Sequence, residues 1–340
     1  MTHSLCMKGL LTTILLISLL SVQGSAQDVV NSPYVANGAN GTVHIYPTQA
    51  FSQQIRAQLG PPLGPGVLSY HGGPIMSGNN FYAIFWIPAH LQNGQSTTLT
   101  SKYQLLAEQM LSDYPYHGIS NNSTQYYSSI NGVTKYFVGT GGLAGYDVDT
   151  NPYPANGCHD SVTPSNCITD AQLQAEISRV MTLRGWTPGL NKMFIVFTST
   201  GEGSCTDNSS STCAYTSYCA YHGYFGSTTT PTIYANMPYA NPTYCYASSN
   251  GQHAPSGDVP SDANVNVTSH EITEANTDPE SNAWWDSANG EEIGDLCAWN
   301  FGTADWNSGL APANQNWNGH YFDLQLEYNN HTAACVKIGP

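Results

Sequence analysis

The sequence predicts a single disulfide-rich domain of the α/β or α+β class, with a central sheet flanked by helices. Short apolar runs of strand length alternate along the chain with stretches whose apolar residues recur at helical spacing. Of the nine cysteines, all but Cys6 lie between residues 158 and 335, and their even number favours disulfide bonds. We find no internal repeat, so one folding unit is expected.

Residues 1–26 predict a secretory signal peptide. Lys8 precedes an apolar run from residue 10 to about residue 22, and small residues lie just before Gln27. Such a run is too short to span a membrane as a helix and is typical of a cleaved signal. We therefore expect a secreted, extracellular protein with no membrane attachment after signal cleavage. A retained N-terminal anchor is the alternative.

The chain is strongly acidic and has few basic residues. It contains 8 Lys+Arg against 23 Asp+Glu, which gives a formal net charge of −15. Without a basic patch to neutralise phosphates, the chain should repel nucleic acid and anionic membranes. The expected partner is an extracellular peptide or a cell-wall polymer that serves as substrate, and the expected state is a monomer.

Local patterns place the helices and strands in a domain that is expected to span residues 67–340. Residues 27–66 are rich in Gly, Asn and Pro and predict an extended N-terminal arm. Strands are predicted at residues 67–71, 81–87, 134–138, 192–200 and 232–236, and helices at residues 101–114, 170–184 and 261–276. The expected helix boundaries are an N-cap at Thr169 or Asp170, a stop at Gly185, and an N-cap at Ser261 or Asp262. Most of the segment 201–260 is expected to be a loop region held together by disulfide bonds.

The cysteines downstream of the signal are all expected to form disulfides. Cys158 is expected to pair with Cys167, and Cys297 with Cys335. The pairing of the middle four stays open: Cys205, Cys213, Cys219 and Cys245. Because the sequence contains no C-x2-C pair, a zinc–thiolate site is disfavoured.

The segment SHEITEANTDPE, which begins at Ser269, carries the strongest chemical signal. His270 and Glu274 are four residues apart, so on a helix they face the same way and could bind one cation. Glu271 would then lie beside the metal as the base that takes a proton from a bound water. This is the logic of the H-E-x-x-H helix of zinc metallopeptidases, here with a carboxylate in place of the second histidine. Zinc is the expected ion, with calcium or manganese as competitors.

A third ligand is needed, and the sequence offers alternatives. Glu280 lies ten residues after His270, but the glycine that such a turn would require is missing at position 277. In the segment GEEIGDLC, Glu292 and Asp295 would share a face if the segment were helical. We favour Glu292 as the ligand, with Asp295 as an alternative ligand or as the partner that orients His270.

Other interpretations compete with the metal site. Acidic residues cluster by chance in an acidic chain, although Trp284, Trp285 and Ile293 indicate a packed segment rather than solvated acids. His71 and His222 are expected to be structural histidines, held by backbone hydrogen bonds. The alternative is that either lines the same cleft as the motif. The sequence contains no G-x-S-x-G elbow and no phosphate-binding glycine loop. A glycosidase that uses two carboxylates without a metal is a further possibility.

Three stretches together resemble one known family. LSYHGGPIMSG at residues 68–78, CAYHGYF at residues 219–225, and the block from Asn264 through Cys297 to Cys335 are similar to the EXORDIUM or phosphate-induced proteins. The resemblance spans roughly residues 67–338. Plant members are secreted proteins linked to growth, without an established enzymatic activity, and many lack a His-Glu pair at the positions of His270 and Glu271. The resemblance therefore implies a microbial branch that has the metal-site residues.

Two functions follow as expectations. The first is a secreted metal-dependent hydrolase, a zincin-like peptidase that uses a metal-activated water at Zn²⁺. The alternative is a non-catalytic extracellular or cell-wall protein of the EXORDIUM type, whose acidic cluster is structural, binds Ca²⁺ or binds no metal.

Overall fold

A seven-stranded mixed sheet forms the centre of the structure, a computed structural model that describes residues 1, 32–60, 67–115, 117–163, 167–240, 242–245 and 254–340. The predicted signal peptide falls outside these residues, except for Met1. Within the described residues, no helix has the length and apolarity needed to cross a membrane. The mixed α/β class with a central sheet flanked by helices, as the sequence predicts, is confirmed.

The sheet contains both parallel and antiparallel pairs. Its strands are, in chain order, β1 (Val35–Gly38), β2 (Gly41–Pro47), β3 (Asn79–Trp86), β4 (Gly141–Asp149), β5 (Lys192–Thr198), β6 (Tyr218–Ser227) and β7 (Thr230–Met237). Their order across the sheet is β1-β2-β6-β7-β5-β3-β4. The pairs from β7 to β4 are parallel, whereas those from β1 to β7 are antiparallel. The continuous apolar run of β5 lies near the middle because both of its faces are covered.

In the described part of the chain, five helices and several short strand pairs surround the sheet. The helices are α1 (Gln49–Leu59), α2 (Ser101–Asp113), α3 (Asp170–Arg184), α4 (Pro242–Cys245) and α5 (Val259–Thr277), and Gly118–Gln125 and Asp295–Cys297 form 3-10 turns. The short pairs are Leu68–Tyr70 with Trp284–Asp286, Tyr127–Ile130 with Val133–Tyr136, Ile168–Thr169 with Ser204–Cys205, Trp306–Asn307 with Pro312–Ala313, Gln315–Trp317 with His320–Phe322, and Glu327–Asn329 with Ala334–Val336.

The predicted helices begin and end where their side chains satisfy the terminal backbone groups. Thr169 caps α3 by accepting a hydrogen bond from the Gln172 backbone, while the Gln172 side chain accepts one from the Thr169 backbone. This reciprocal pair is a capping box. Gly185 ends the helix at φ 68°, in the left-handed region that glycine adopts without strain. The choice between Thr169 and Asp170 is therefore settled in favour of Thr169.

The N-terminal arm is an integral part of the sheet. Residues 35–47 form β1 and β2, and α1 follows, whereas the sequence suggested an extended arm through residue 66. The glycines favoured a turn-rich interpretation, but the apolar run of β2 is buried against β6. This pairing places the side chains of β2 next to those of β6 in the interior.

Several other predicted elements need correction. Residues 218–227 of the expected loop region form β6, whereas the strand expected at residues 232–236 is confirmed as part of β7. The strand expected at residues 134–138 is Val133–Tyr136, in an exposed hairpin outside the central sheet. Strand β4 was not predicted, because its glycines and its exposed side chains hide the alternation of apolar and polar residues that indicates a strand. The motif helix begins earlier than Ser261, with Asp258 as its N-cap.

Four disulfide bonds are present. Cys158–Cys167 and Cys297–Cys335 confirm the expected pairs, and the remaining pairs are Cys205–Cys213 and Cys219–Cys245. Several disulfides fit an extracellular protein. The clustering of Cys158, Cys167 and Cys205 is explained by these bonds and does not indicate a thiolate metal site.

Helix α5 is buried along its whole length from residue 261 to residue 277. It packs against α2, β6 and β7. A helix buried on every side is normally apolar, yet this one carries His270, Glu271 and Glu274. Buried polar groups must find partners in the interior, so the surroundings of these side chains decide what the helix can do.

Candidate metal centre

Buried histidines and carboxylates meet beside α5, and we call this group the acid–histidine cluster. Its members come from β2, β6, α5 and the segment that follows α5, and they are His44, His222, His270, Glu271, Glu274, Asp278, Glu292 and Asp295. Each of them is at most 1% exposed. Solvent therefore does not screen their charges in this conformation.

His270 and Glu274 meet as the helical spacing predicts. The Nε2 atom of His270 lies 3.1 Å from Oε1 of Glu274, one turn along α5. The backbone N–H of Asp295 donates a hydrogen bond to the same oxygen at 3.1 Å. Ligand atoms of His270, Glu274 and Asp295 lie within 4.8 Å of one another, so these three residues could hold one ion.

Glu271 points towards β6 rather than towards His270. Its Oε2 atom lies 3.1 Å from Nδ1 of His222, and among the described residues its Oε1 atom has no hydrogen-bond partner. The same Nδ1 atom is 3.7 Å from Oε2 of Glu274. His222 therefore fixes one oxygen of Glu271 and leaves the other available.

Glu292 lies on the far side of His222, apart from His270. Its Oε1 atom is 2.9 Å from Nδ1 of His44, and its Oε2 atom is 3.8 Å from Nε2 of His222. Glu292 forms one possible ligand group with His44 and Asp278 and another with His222 and Glu274. The described geometry thus brings Asp295, rather than the favoured Glu292, beside His270.

The segment that holds these acids is not the helix that the sequence suggested. Only Asp295–Cys297 forms a short 3-10 turn, and Glu292 precedes it. Asp295 still contacts Glu292, because its Oδ2 atom accepts the Glu292 backbone N–H at 3.0 Å. Glu280, the other proposed third ligand, is absent from the possible ligand groups of the described residues.

The ring of His270 is held on all sides. Tyr46 stacks on it with ring centroids 3.9 Å apart. Gly294 passes so close that a Cβ atom at this position would lie 2.5 Å from Nδ1 of His270. The ring therefore has little freedom to rotate, and the direction of its Nε2 atom is fixed towards Glu274.

Gln325 determines which ring nitrogen of a neutral His270 carries the proton. Its Oε1 atom accepts from the Trp299 backbone at 3.0 Å, and its Nε2 atom donates to the Gly294 carbonyl at 2.8 Å. The same Nε2 atom is 3.1 Å from Nδ1 of His270, which must then be the acceptor. A neutral His270 carries its proton on Nε2, facing Glu274. A metal at Nε2 would move the proton to Nδ1, and the Gln325 amide would have to turn.

Burial sets the protonation of the cluster when no cation compensates its charge. Burial raises the pKa of Glu271, and the nearby charge of Glu274 raises it further. Burial likewise raises the pKa of Glu292 well above its usual value and that of Asp278 to about 7. It lowers the pKa of His222 to about 4. The physical cause is the same throughout, since a low-dielectric interior disfavours every charged form.

Many polar atoms of the cluster lack hydrogen bonds. Among the described residues, those without a hydrogen-bond partner are both ring nitrogens of His44, His222 Nε2, His270 Nε2, Glu271 Oε1, Glu274 Oε2, Asp278 Oδ2, both carboxylate oxygens of Glu292 and Asp295 Oδ1. Leaving a buried polar group unsatisfied costs about 1–3 kcal/mol. Divalent cations satisfy such oxygen and imidazole donors directly, so the donor set fits a metal.

Basic side chains do not neutralise the cluster. Arg56 of α1 reaches its edge, where it pairs with Glu291 and donates a hydrogen bond to the Asp295 carbonyl at 2.8 Å. Within the described residues, no salt bridge joins a lysine or arginine to the five carboxylates of the cluster. Buried charge of this kind is stable only with protons or a cation.

Two histidines of the cluster were misjudged or missed at the sequence level. His222 was expected to be structural, and it instead lies between Glu271, Glu274 and Glu292. His44 was not singled out, although it is a polar residue within the buried run of β2. His71 lies outside the cluster and stacks on Trp285 with ring centroids 3.5 Å apart.

No family model, curated protein or solved structure matches the chain. Fold and cluster therefore define its class directly: a mixed α/β protein with several disulfides and a buried group of residues suited to metal binding. The resemblance to the EXORDIUM proteins stays an expectation.

Proposed function

We propose that the chain is an exported, metal-dependent hydrolase of the zincin-like peptidase kind. In this proposal His270, Glu274 and Asp295 hold the metal, and Glu271 is the general base. The observation that carries it is the buried ligand group of these three residues, with Glu271 next to His270 in the same helix. Substrates of the class would be extracellular peptides, with cell-wall polymers as the alternative.

Each residue has a role that its contacts support. When bound, the ion would lower the pKa of a water molecule and polarise the scissile carbonyl. Glu271 has one oxygen held by His222 and one oxygen without a partner, so it could take a proton and pass it to the leaving amine. Asp295 is oriented by its hydrogen bond from the Glu292 backbone.

The donor set favours zinc, but with two carboxylates it is a harder set of Lewis bases than that of a two-histidine site. Zinc accepts histidine nitrogen and carboxylate oxygen at about 2.0–2.2 Å. Manganese shares this preference for mixed donors. Calcium prefers six to eight oxygen ligands, so binding through His270 would argue against it.

A second candidate function is supported by the burial of the cluster. His270 is 0% exposed, and Tyr46 and Gln325 close its surroundings. A metal held there without an opening would be structural, as in a non-catalytic extracellular protein. Hydrolysis, in contrast, requires a conformation in which substrate reaches Glu271.

Metal content and peptide hydrolysis together test the proposal. Purified protein should contain zinc by elemental analysis. His270→Ala should lose the ion held at His270 and so contain less zinc, while His71→Ala outside the cluster should retain the wild-type content. Glu271→Gln should keep the metal and lower kcat at least ~100-fold, the usual share of a general base. Circular dichroism would show that each variant is folded.

The results separate the candidates. Absence of a transition metal from the wild-type protein would refute the hydrolase. Bound metal without turnover of a peptide library, and without any difference for Glu271→Gln, would support the structural role.

A further inference from the structure

We propose that the acid–histidine cluster binds two divalent cations. The first site is the one assigned above. The second site consists of His44, Asp278 and Glu292. This inference rests on the proposed function for the first ion and goes beyond it for the second.

The first argument is the way in which two carboxylates face different histidines. Glu274 directs Oε1 to His270 at 3.1 Å and Oε2 to His222 at 3.7 Å. Glu292 directs Oε1 to His44 at 2.9 Å and Oε2 to His222 at 3.8 Å. Each carboxylate thus belongs to its own site and also to a shared ligand group with His222. This shared group links the two sites, so the two ions would be neighbours.

The second argument is the orientation of Asp278. Its Oδ1 atom accepts the backbone N–H groups of Asn282 at 2.6 Å and Ala283 at 2.7 Å. These bonds fix the carboxylate, and its Oδ2 atom has no hydrogen-bond partner among the described residues. Asp278 lies in one ligand group with Glu292. Two carboxylates this close need a proton or a cation between them.

The third argument is the state of the donor atoms in the second site. His44 Nε2 and both carboxylate oxygens of Glu292 lack hydrogen-bond partners within the described part of the chain. His44 is 1% exposed, and Glu292 and Asp278 are 0% exposed. Solvent therefore does not satisfy these atoms in place of a ligand. Imidazole nitrogen with carboxylate oxygen is a donor set suited to zinc or manganese.

The fourth argument is charge. A single divalent cation compensates two carboxylates, which leaves most of the acids in the cluster uncompensated when ionised. A second divalent cation compensates the charge of two more carboxylates, so nearly all of the acids are then neutralised. Arg56 does not take this role, because it already pairs with Glu291. Paired metals are a known arrangement in hydrolases, including aminopeptidases. The substrate class implied is an amide or ester, whose carbonyl oxygen could contact one ion while the attacking water contacts the other.

Metal stoichiometry by native mass spectrometry tests the second site. The wild-type protein, refolded with Zn²⁺ and freed of excess metal, should carry about two ions per chain. His44→Ala and His270→Ala should each retain one, and the matched variant His71→Ala should retain two. One ion in the wild type that persists in His44→Ala and disappears in His270→Ala would overturn the second site and leave the hydrolase intact. Absence of any ion would overturn both.

A measurement on the wild-type protein avoids dependence on the folding of variants. Loaded with Mn²⁺ alone, two neighbouring ions should give a spin-coupled electron paramagnetic resonance spectrum. The spectrum of isolated Mn²⁺ at full loading would contradict the proposal.

Discussion

Gly294 occupies a position where a side chain would collide with two of the proposed metal ligands. A Cβ atom there would lie 2.5 Å from Nδ1 of His270 and 2.9 Å from Oε1 of Glu274. The residue has φ −78°, so Gly294→Ala changes sterics and not backbone strain. We expect the variant to lose the ion at His270 and about 2 kcal/mol of stability, the usual cost of overpacking. Elemental analysis and thermal unfolding measure both effects.

The matched control is Gly78→Ala. A Cβ atom at Gly78 would have its nearest neighbour at 3.4 Å, an ordinary contact distance. This variant should keep the metal and the unfolding temperature of the wild type. Retention of metal in Gly294→Ala would show that the ion does not lie where His270 and Glu274 meet.

Glu202 should make stability depend on pH, independently of the metal. It is 0% exposed, its Oε1 atom accepts from Gln92 at 3.0 Å, and burial raises its pKa to about 8. The folded protein thus holds a proton that the unfolded chain, with a pKa of 4.5, releases. Stability from this proton is complete below about pH 4.5 and decreases as the pH rises towards 8, by up to ~1.4 kcal/mol per unit.

Glu202→Gln should remove this contribution. Unfolding temperatures measured with chelator from pH 5 to pH 8 should fall less steeply in the variant than in the wild type. Glu108→Gln is the control, because Glu108 is half-buried and also accepts an amide hydrogen bond, from Gln104 at 2.8 Å. Parallel curves for Glu202→Gln and the wild type would contradict the prediction.

At the residue scale, sequence could predict only contacts within one helix. His270 and Glu274 meet because four residues make about one helical turn. His44 and His222 join them through the pairing of β2 with β6, which aligns these two residues directly. No local pattern encodes this pairing, so neither histidine could be assigned to the site from sequence.

Helix α1 holds the edge of the acid–histidine cluster through one basic residue. Arg56 is 24% exposed, whereas its partner Glu291 is 0% exposed. Arg56→Met would leave a buried carboxylate without its counter-charge, which costs about 3 kcal/mol in comparable pairs. Urea unfolding of the variant measures this loss.

The control is Lys337→Met. Lys337 is 22% exposed, and its partner Asp305 is 53% exposed, so the variant leaves no buried carboxylate unpaired. An ion pair with an exposed carboxylate contributes about 0–1 kcal/mol. Equal losses in the two variants would show that α1 is not anchored through Glu291.

At the element scale, prediction succeeded where the local signal was strong. The capping box and terminal glycine define α3, and the apolar run defines β5. Strand β6 was missed because its sequence, rich in tyrosine and glycine, lies in a cysteine-rich region that favours loops. Strands β1 and β2 were missed because their glycines were assigned to an extended arm, although β2 pairs with β6 across the chain.

Metal binding should stabilise the whole molecule, since the complete ligand set exists only in the folded state. Removing the ion with a chelator should lower the unfolding temperature by about 10 °C, if the ion is present at ~1,000-fold above its Kd. His270→Ala should respond less to chelator than the wild type. Scanning calorimetry with and without chelator gives the comparison. Identical temperatures for the wild-type protein in both conditions would exclude a bound ion that contributes to the fold.

The origin of the donors along the chain has a consequence for how a metal is acquired. His44 lies near the beginning of the described chain, and Gln325, which holds His270 in place, lies near its end. A chain still emerging from the ribosome or a translocation channel therefore offers only pieces of the centre. For a given set of nitrogen and oxygen donors, the metal bound in the cell depends on supply and geometry rather than on affinity alone. In the proposed centre, the metal would therefore come from the compartment in which the last residues fold, rather than from the one in which synthesis begins.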